Sequence, residues 1–397
     1  MKLPIILGLL TASITASFAQ LPLRDIAVLQ LADTKVLTAE TSQAQHLNLN
    51  PFLVKDKEFD FGALLNEINF VPLETTAQSR LGQIRKVVTT AEHIYIMDDL
   101  DEWGIAIFTR QGKFVKRIPN GKKPEQLYRL YDIDFNTQTN ELIAYKHSFL
   151  LIFDKEGNFL RFKYLPIGFL NMAATPDGYV LKSLVGQNIN LGDKSNYRLQ
   201  FINKDLKLNA VALPDKESKA FSAKSYLYRV ADLVKITAEI SDTIYQYNPK
   251  DNKLAAEFIL DYDHKLPRSY IYGKEFSVFE NAIRNHNYNY CIGDYIETTY
   301  HNVFFISNKT ANVVVYRDKH SGNMVGGGIA QSKQGLPFLA FPDSFYDDQL
   351  IKYYYPGEND YEVLKEMPFL SEANKKKSES FKKGDNPILI YYTLNKF

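Results

Sequence analysis

The phrase IAIFTRQGKFVKRI, from Ile105 to Ile118, returns in looser form as LLIFDKEGNFLRFKYL from Leu150. An aromatic residue, a short polar turn and a second apolar-rich run recur, with turns at Gln111-Gly112, Glu156-Gly157, Lys204-Asp205 and Lys250-Asp251-Asn252, about 45 to 48 residues apart. A fifth copy, VVVYRDKHSGNMV, sits about 70 residues further on, so one unit carries an insertion or longer strands. Charged or small turn residues between two alternating runs are a hairpin signal. A hairpin repeated at a fixed period restricts the possible folds more than composition does.

Within the first unit the pattern predicts four strands: IRKVV from Ile84, HIYIMD from His93, IAIFT from Ile105 and KFVKRI from Lys113. The second repeats the order with YDIDF from Tyr131, ELIAY from Glu141, FLLIF from Phe149 and FLRFKYL from Phe159. Four strands per 40 to 50 residues is the size of one propeller blade. A β-sandwich would also have many short strands, but it has no reason to repeat one phrase at fixed spacing. Counting from Val71 gives five units. A sixth combines PFLAFPDSFYDDQLIKYYY with the terminal PILIYYTLNKF, across a helix expected around Tyr361 to Lys383. The expected fold is therefore all-β: a six-bladed β-propeller with four-stranded antiparallel blades and one short helix near the C-terminus. Such a ring has open edges unless its ends join, so an early strand is expected to pair in the sheet holding Ile388 to Leu394. Either Leu47 to Asn50 or NFVPLE from Asn69 would supply it.

The segment MKLPIILGLLTASITASFAQ has Lys2, an apolar run and a Ser17-Phe18-Ala19 cleavage pattern, and reads as a secretory signal. Leu3 to Ile14 is too short to cross a bilayer core of roughly 30 Å. No cysteine follows the cleavage pattern to carry a lipid anchor. These features predict a signal at 1–19, an N-terminal segment at 20–69 with the ring-closing strand, and the propeller at 70–397. The mature protein is expected to be soluble, monomeric and periplasmic or secreted, and not a lipoprotein. With Cys291 as the one cysteine, no internal disulfide forms, so stability must come from an apolar core. The 26 Tyr and 26 Phe suit pleated surfaces. A net charge of +1 leaves little field to attract nucleic acid or an anionic membrane.

Several phrases together, FVPLETT (Phe70 to Thr76), LGQIRKV (Leu81 to Val87), HIYIMDD (His93 to Asp99), Asp132 to Phe135, SDTIYQY (Ser241 to Tyr247) and GDNPILIYY (Gly384 to Tyr392), resemble a known family. It is the six-bladed β-propeller proteins of Bacteroidetes, long held as a domain of unknown function and related to NHL-type propellers. The resemblance spans nearly the whole mature chain and implies a binding or accessory role in the cell envelope. Two departures stand out: the lipobox cysteine of many relatives is absent, and their G-x-G-P-G-E-Y loop is reduced here to Gly121-Lys122-Lys123-Pro124-Glu125-Gln126-Leu127-Tyr128. The lost glycines remove freedom at positive φ.

Candidate ligand residues come from three places. Asp98, Asp99, Asp101, Glu102 and Trp103 follow the second strand of the first unit, where carboxylates would suit Ca²⁺ and the indole would stack on a sugar. A solvated turn is the plainer account. Lys146 and His147 join the candidates. His286, Tyr288 and Tyr290 lie in RNHNYNYCIGDYIETTYHN, whose residue types stack on sugar rings and bond to hydroxyls, though half-buried strand aromatics, with Tyr288, Tyr290 and Ile292 alternating on one face, are the plainer account.

Asp132 to Asn136 begins like a Ca²⁺ loop but lacks its Gly and Glu, and reads as an inner strand. The seven histidines show no zinc spacing, and there is no G-x-S-x-G. Cys291 reads as a small buried thiol. Gly326-Gly327-Gly328 reads as a flexible connection, and the lysines from Lys375 to Lys383 as a solvated helix face.

No cofactor is expected, with Ca²⁺ and Zn²⁺ left open. The leading expectation is a non-catalytic binding module for a saccharide, peptide or envelope protein. The alternatives are a metal-dependent lyase or a lactone- or glycan-processing hydrolase built from channel carboxylates and histidines, and a protein interaction scaffold.

Overall fold

In a computed structural model of the 397-residue chain, the described residues are 27–54, 59–99, 104–121, 123, 126–127, 130–146, 148–183, 187–214, 226–271, 274–328, 338–355 and 370–397. Three strands, β1 (Lys35–Leu37), β2 (Gln45–Asn48) and β3 (Leu65–Pro72), precede the repeats. Blade one is β4 (Ile84–Thr89), β5 (His93–Asp98), β6 (Gly104–Thr109) and β7 (Phe114–Ile118). Blade two is β8 (Leu130–Asn136), β9 (Glu141–Lys146), β10 (Phe149–Asp154) and β11 (Phe159–Tyr164), and blade three is β12 (Asn171–Thr175), β13 (Gly178–Lys182), β14 (Tyr197–Asn203) and β15 (Leu208–Pro214). In blade four run β16 (Leu227–Val230), β17 (Leu233–Thr237), β18 (Thr243–Asn248) and β19 (Lys253–Asp261). Blade five holds β20 (Tyr295–Glu297), β21 (His301–Ser307), β22 (Asn312–Asp318) and β23 (Met324–Gly328). Blade six joins β24 (Ser344–Tyr346), β25 (Gln349–Tyr354) and β26 (Ile388–Leu394) to β3, which forms its outermost strand.

The repeated phrase is the hairpin between the third and fourth strands of a blade, and one chemistry recurs in it. In blades one to five the last residue of the third strand offers a side-chain oxygen to backbone N–H groups of the turn. Thr109 accepts from Gln111 and Lys113, Asp154 from Glu156 and Asn158, Asn203 from Asp205 and Lys207, Asn248 from Lys250, and Asp318 from His320 and Ser321. A left-handed residue then closes each turn: Gly112, Gly157, Leu206, Asn252 and Gly322. Gly112 is the tightest of these, with φ 81° and a position where a Cβ would lie 2.1 Å from the Pro72 carbonyl oxygen. Gly112→Ala is expected to cost about 1–3 kcal/mol. Gly384→Ala, also at positive φ but with open space around it, should cost less. Paired urea titrations would check the order, and equal losses would count against the close approach.

Six apolar clusters hold the ring, one between each pair of neighbouring blades. Examples are Tyr95, Ile107, Ile133 and Leu151 between blades one and two, and Ile296, Val314, Phe70 and Ile390 between blades five and six. Middle strands therefore bury both faces, and HIYIMD is buried from Ile94 to Asp98. Of the two early strands, β3 closes the ring by pairing antiparallel with β26. The Leu47 strand instead adds to the outer edge of blade four, where β2 pairs parallel with β19, and β1 does the same to β15 of blade three.

The late fifth copy is explained by a connection from Tyr262 to Asp294. It carries α1 (Phe276–Asn285) over a satellite core of Leu266, Ile271, Phe279, Ala282 and Tyr290. Near the C-terminus α2 (Glu372–Ser378) lies within the helix expected from Tyr361 to Lys383; residues 361–369 of that expectation lie outside the described residues. Two expectations need correcting. The three glycines from Gly326 to Gly328 are not a flexible connection but part of β23, where a Cβ on Gly326 would meet the Val314 carbonyl oxygen at 2.2 Å. Lys377 is not merely solvated: its ammonium donates to Asn69 Oδ1 and the Phe70 carbonyl, and burial lowers its pKa.

Candidate functional site

The first strand of each blade faces the hub, where β4 touches β8, β8 touches β12, β12 touches β16, β20 touches β24 and β24 touches β4. In such a meander, first-to-second and third-to-fourth turns emerge at one end of the ring, and second-to-third and blade-to-blade connections at the other. The inner strands are stapled by the alternating aspartates of YDIDFN. Asp132 accepts from Met172 N at 2.7 Å and Asp134 from Ala174 N at 2.6 Å, both on β12. This motif is an inner strand, as its alternation implied. Burial pushes the Asp132 carboxyl above its ordinary range, against the pull of Lys86 at 2.7 Å.

The hub is also spanned by side chains from blades that are not neighbours. Arg229 on β16 donates to the Phe135 carbonyl at 2.7 Å and to Thr137 Oγ1 at 3.3 Å, crossing from blade four to blade two. Tyr228 packs edge-on against Phe345 of blade six with ring centres 5.0 Å apart. The hub is thus tied across by these side chains.

Charged groups gathered by the blades neutralise one another. Asp98, fully buried at the end of β5, receives Arg117 at 2.9 Å, and that guanidinium also donates to the carbonyls of Gln78 and Arg80. Asp99 pairs with Arg85 at 2.7 Å and accepts from Gln83 N. Between blades three and four, Glu239 is held by Lys182 and Arg198, all three buried, with Lys182 4.0 Å from the Tyr226 ring centre. Between blades four and five, Lys235 lies 2.6 Å from Glu257 and 2.9 Å from Glu297, which also takes Lys319 at 2.7 Å and the Tyr295 hydroxyl at 2.8 Å. Desolvation opposes ionisation of both acids. At Glu297 the two ammonium groups outweigh it and hold the carboxyl below its ordinary value; at Glu257, with Lys235 closest, burial wins and raises it.

The candidate residues within the described chain all fall at the end where blades are joined, but on different units. Asp98 and Asp99 follow β5 and Lys146 ends β9, donating to the carbonyls of Lys123 and Gln126. His286, Tyr288 and Tyr290 belong to the blade-four-to-five connection. Asp101, Glu102, Trp103 and His147 lie outside the described residues. The RNHNYNY run divides by depth. Tyr290 is buried against Phe279, while half-buried Tyr288 and exposed His286 form an aromatic group with Tyr270, ring centres 5.2 to 6.3 Å apart. Lys182, Arg198, Glu239, Lys235, Glu257 and Glu297 were missed as a set, because each reads locally as one polar residue in an apolar strand or loop. Among the described residues, no three His, Cys, Asp or Glu side chains converge as metal ligands would.

Cys291 is buried, and burial pushes its thiol up to about 12. It should resist iodoacetamide at pH 8 in the native state and react fully only in denaturant; mass spectrometry of the alkylated chain reads this directly.

A family model described as a domain of unknown function, DUF4934, matches residues 45–393. Among solved structures, a Bacteroides fragilis protein described as exported shares 14% identity over 89% of this chain and 100% of its own, with a TM-score of 0.72, which shows a common fold. The extracellular domain of a one-component system from B. thetaiotaomicron aligns at 10% identity over 74% of this chain and 31% of its own, with a TM-score of 0.35. A Bacteroides caccae protein of unknown function aligns at 12% identity over 62% and 81%, with a TM-score of 0.36. No curated protein matches the sequence. No helix among the described residues is long and apolar enough to cross a membrane.

Proposed function

The chain belongs to the DUF4934 family, and from that premise we propose that it is an exported, non-catalytic binding propeller of the bacterial cell envelope, taking its ligand at the end where the blades are joined. The observation that carries this reading is the matching of the buried acids. Asp98, Asp132, Glu239 and Glu297 each meet a cation, and Asp318 accepts backbone N–H groups from His320, Ser321 and Phe397. General acid–base or nucleophilic work needs a group held ready for a substrate, whereas these charges are committed to structural partners within and between blades. The secretory signal expected at 1–19 and the exported description of the B. fragilis protein support the location.

Aromatic and amide side chains at that end, including Tyr270, His286, Tyr288, Asn285 and Asn287, suit a saccharide, which needs a ring face and hydrogen-bonding groups. The test is thermal unfolding of the chain from Gln20 with oligosaccharides, with Ca²⁺ or Zn²⁺, and with EDTA, since a native-state ligand raises the apparent Tm. A rise with one glycan class, lost in Tyr288→Ala, is the expected result. A rise with metal alone, accompanied by hydrolysis or elimination of a glycan, would replace this reading with an enzymatic one.

A further inference from the structure

We propose that the outer edge of blade two, β11, is a docking site for an extended segment of a partner protein whose side chains alternate apolar and acidic. This surface is separate from the blade-joining end, and the inference does not depend on the ligand proposed there.

Every other blade has its outer edge attended to by the chain itself. In blades three and four, β1 and β2 add as parallel strands. In blade six the Asn374 side chain accepts from Phe70 N and donates to the Ile68 carbonyl, imitating a neighbouring strand along β3. In blade five β23 meets the turn at Asn50–Phe52, and in blade one Glu74 accepts from Phe114 N while Arg117 reaches the Gln78 and Arg80 carbonyls. In blade two, as in blades one, five and six, no strand pairs with the outer side of the fourth strand among the described residues, and on β11 Phe159, Leu160 and Phe162 are 37%, 48% and 53% exposed. An uncovered edge is a template for a further strand, and two neighbouring blades already accept one in the same position.

The side chains of β11 specify what fits. Phe162 lies opposite Leu151, on the side facing blade one, and Arg161 and Lys163 lie opposite Ile152 and Leu150, Leu150 packing toward blade three. Cross-strand neighbours share a face, so an added strand would set apolar residues beside Phe162 and acids beside Arg161 and Lys163. Arg161 already pairs with Glu141 at 2.7 Å, whereas the Lys163 ammonium meets the Lys204 carbonyl at 3.4 Å, so Lys163 is the cation with most to gain. A second copy of the chain would bring the same cations face to face, which is unfavourable.

The test titrates the chain from Gln20 into a fluorescein-labelled peptide alternating valine with glutamate, and into the same peptide with lysine for glutamate, reading anisotropy. The glutamate peptide should bind roughly tenfold tighter, and Lys163→Glu should invert that preference. Phe162→Asp should weaken both; because Lys163→Glu alters one half-buried surface side chain outside the core clusters, the charge swap stays readable even if Phe162→Asp misfolds. Hydrogen exchange supplies the second readout: the amides of β11 that point away from β10 should exchange quickly in the free monomer and slow on adding the glutamate peptide. Equal affinity for the two peptides, no binding, or indifference to Lys163→Glu would overturn the proposal. Amides already protected in the free monomer would overturn it in favour of the chain's own N-terminus as occupant. Protection that appears only as the protein dimerises would overturn it in favour of a second copy.

Discussion

Lys235→Met should destabilise the protein by about 3–5 kcal/mol near neutral pH, the usual range for breaking a buried ion pair, and lower its Tm by on the order of 10 °C. Methionine keeps the packing of the four-carbon stem but removes the one cation lying between Glu257 and Glu297. Two acids then share a poorly solvated space, and Lys319, 2.7 Å from Glu297, acts on Glu257 only as a weaker, through-space charge. The sign of the pH dependence separates this account from simple loss of packing. In the native protein the Glu297 carboxyl lies below its ordinary value of 4.5, so its contribution is present above that value and lost as pH falls through the folded one. In the variant both carboxyls are pushed up, and the folded state gains stability by binding a proton as pH falls. The deficit relative to wild type should therefore shrink between pH 7.5 and pH 5. Denaturant midpoints at both values measure it, and a constant deficit would mean that the ion pairs are not its source.

Ile390→Asp should abolish cooperative folding altogether. Ile390 is fully buried on β26, opposite Phe70 of β3 and Lys352 of β25, in the cluster between blades five and six. Losing the side chain costs about 2–5 kcal/mol, and an isolated buried carboxylate adds several more. That total approaches the roughly 5–15 kcal/mol that holds an ordinary domain together. The loss also falls on the seam, so blades one and six should lose their mutual contact as well. Circular dichroism and limited proteolysis would show it: a folded core missing only the last blade would argue that the ring survives unclosed.

The features legible in the sequence were those built from local chemistry. The hairpin oxygens at Thr109, Asp154, Asn203, Asn248 and Asp318 act within four residues of chain, so they leave a phrase that repeats. The closing strand was legible only as one of two candidates, of which β3 is the longer and more apolar. By contrast β2 reads Gln-His-Leu-Asn with only Leu47 buried, and nothing local says that it lies on blade four. The charge networks were illegible for the same reason. Lys235 in LVKIT looks like the polar residue of an alternating strand, yet its side chain is 2% exposed, and its partners come from two other strands. Asp98 looked like part of a solvated acidic turn, but Arg117 of the neighbouring hairpin covers it. Partners supplied by other strands decide whether a charge is buried or open, and sequence spacing does not record them.

The strand that seals the ring is made early in synthesis and its partner last. While a ribosome adds about 5–20 residues per second, β3 must wait some tens of seconds for β26. During that delay each completed hairpin lacks one flank, and sticky edges are at their most numerous. The chain's opening segment is already available by then, so β1 and β2 can sit on blades three and four as soon as those blades appear. The consequence to expect is that blades three and four have their outer edges covered while the last blade is still unmade.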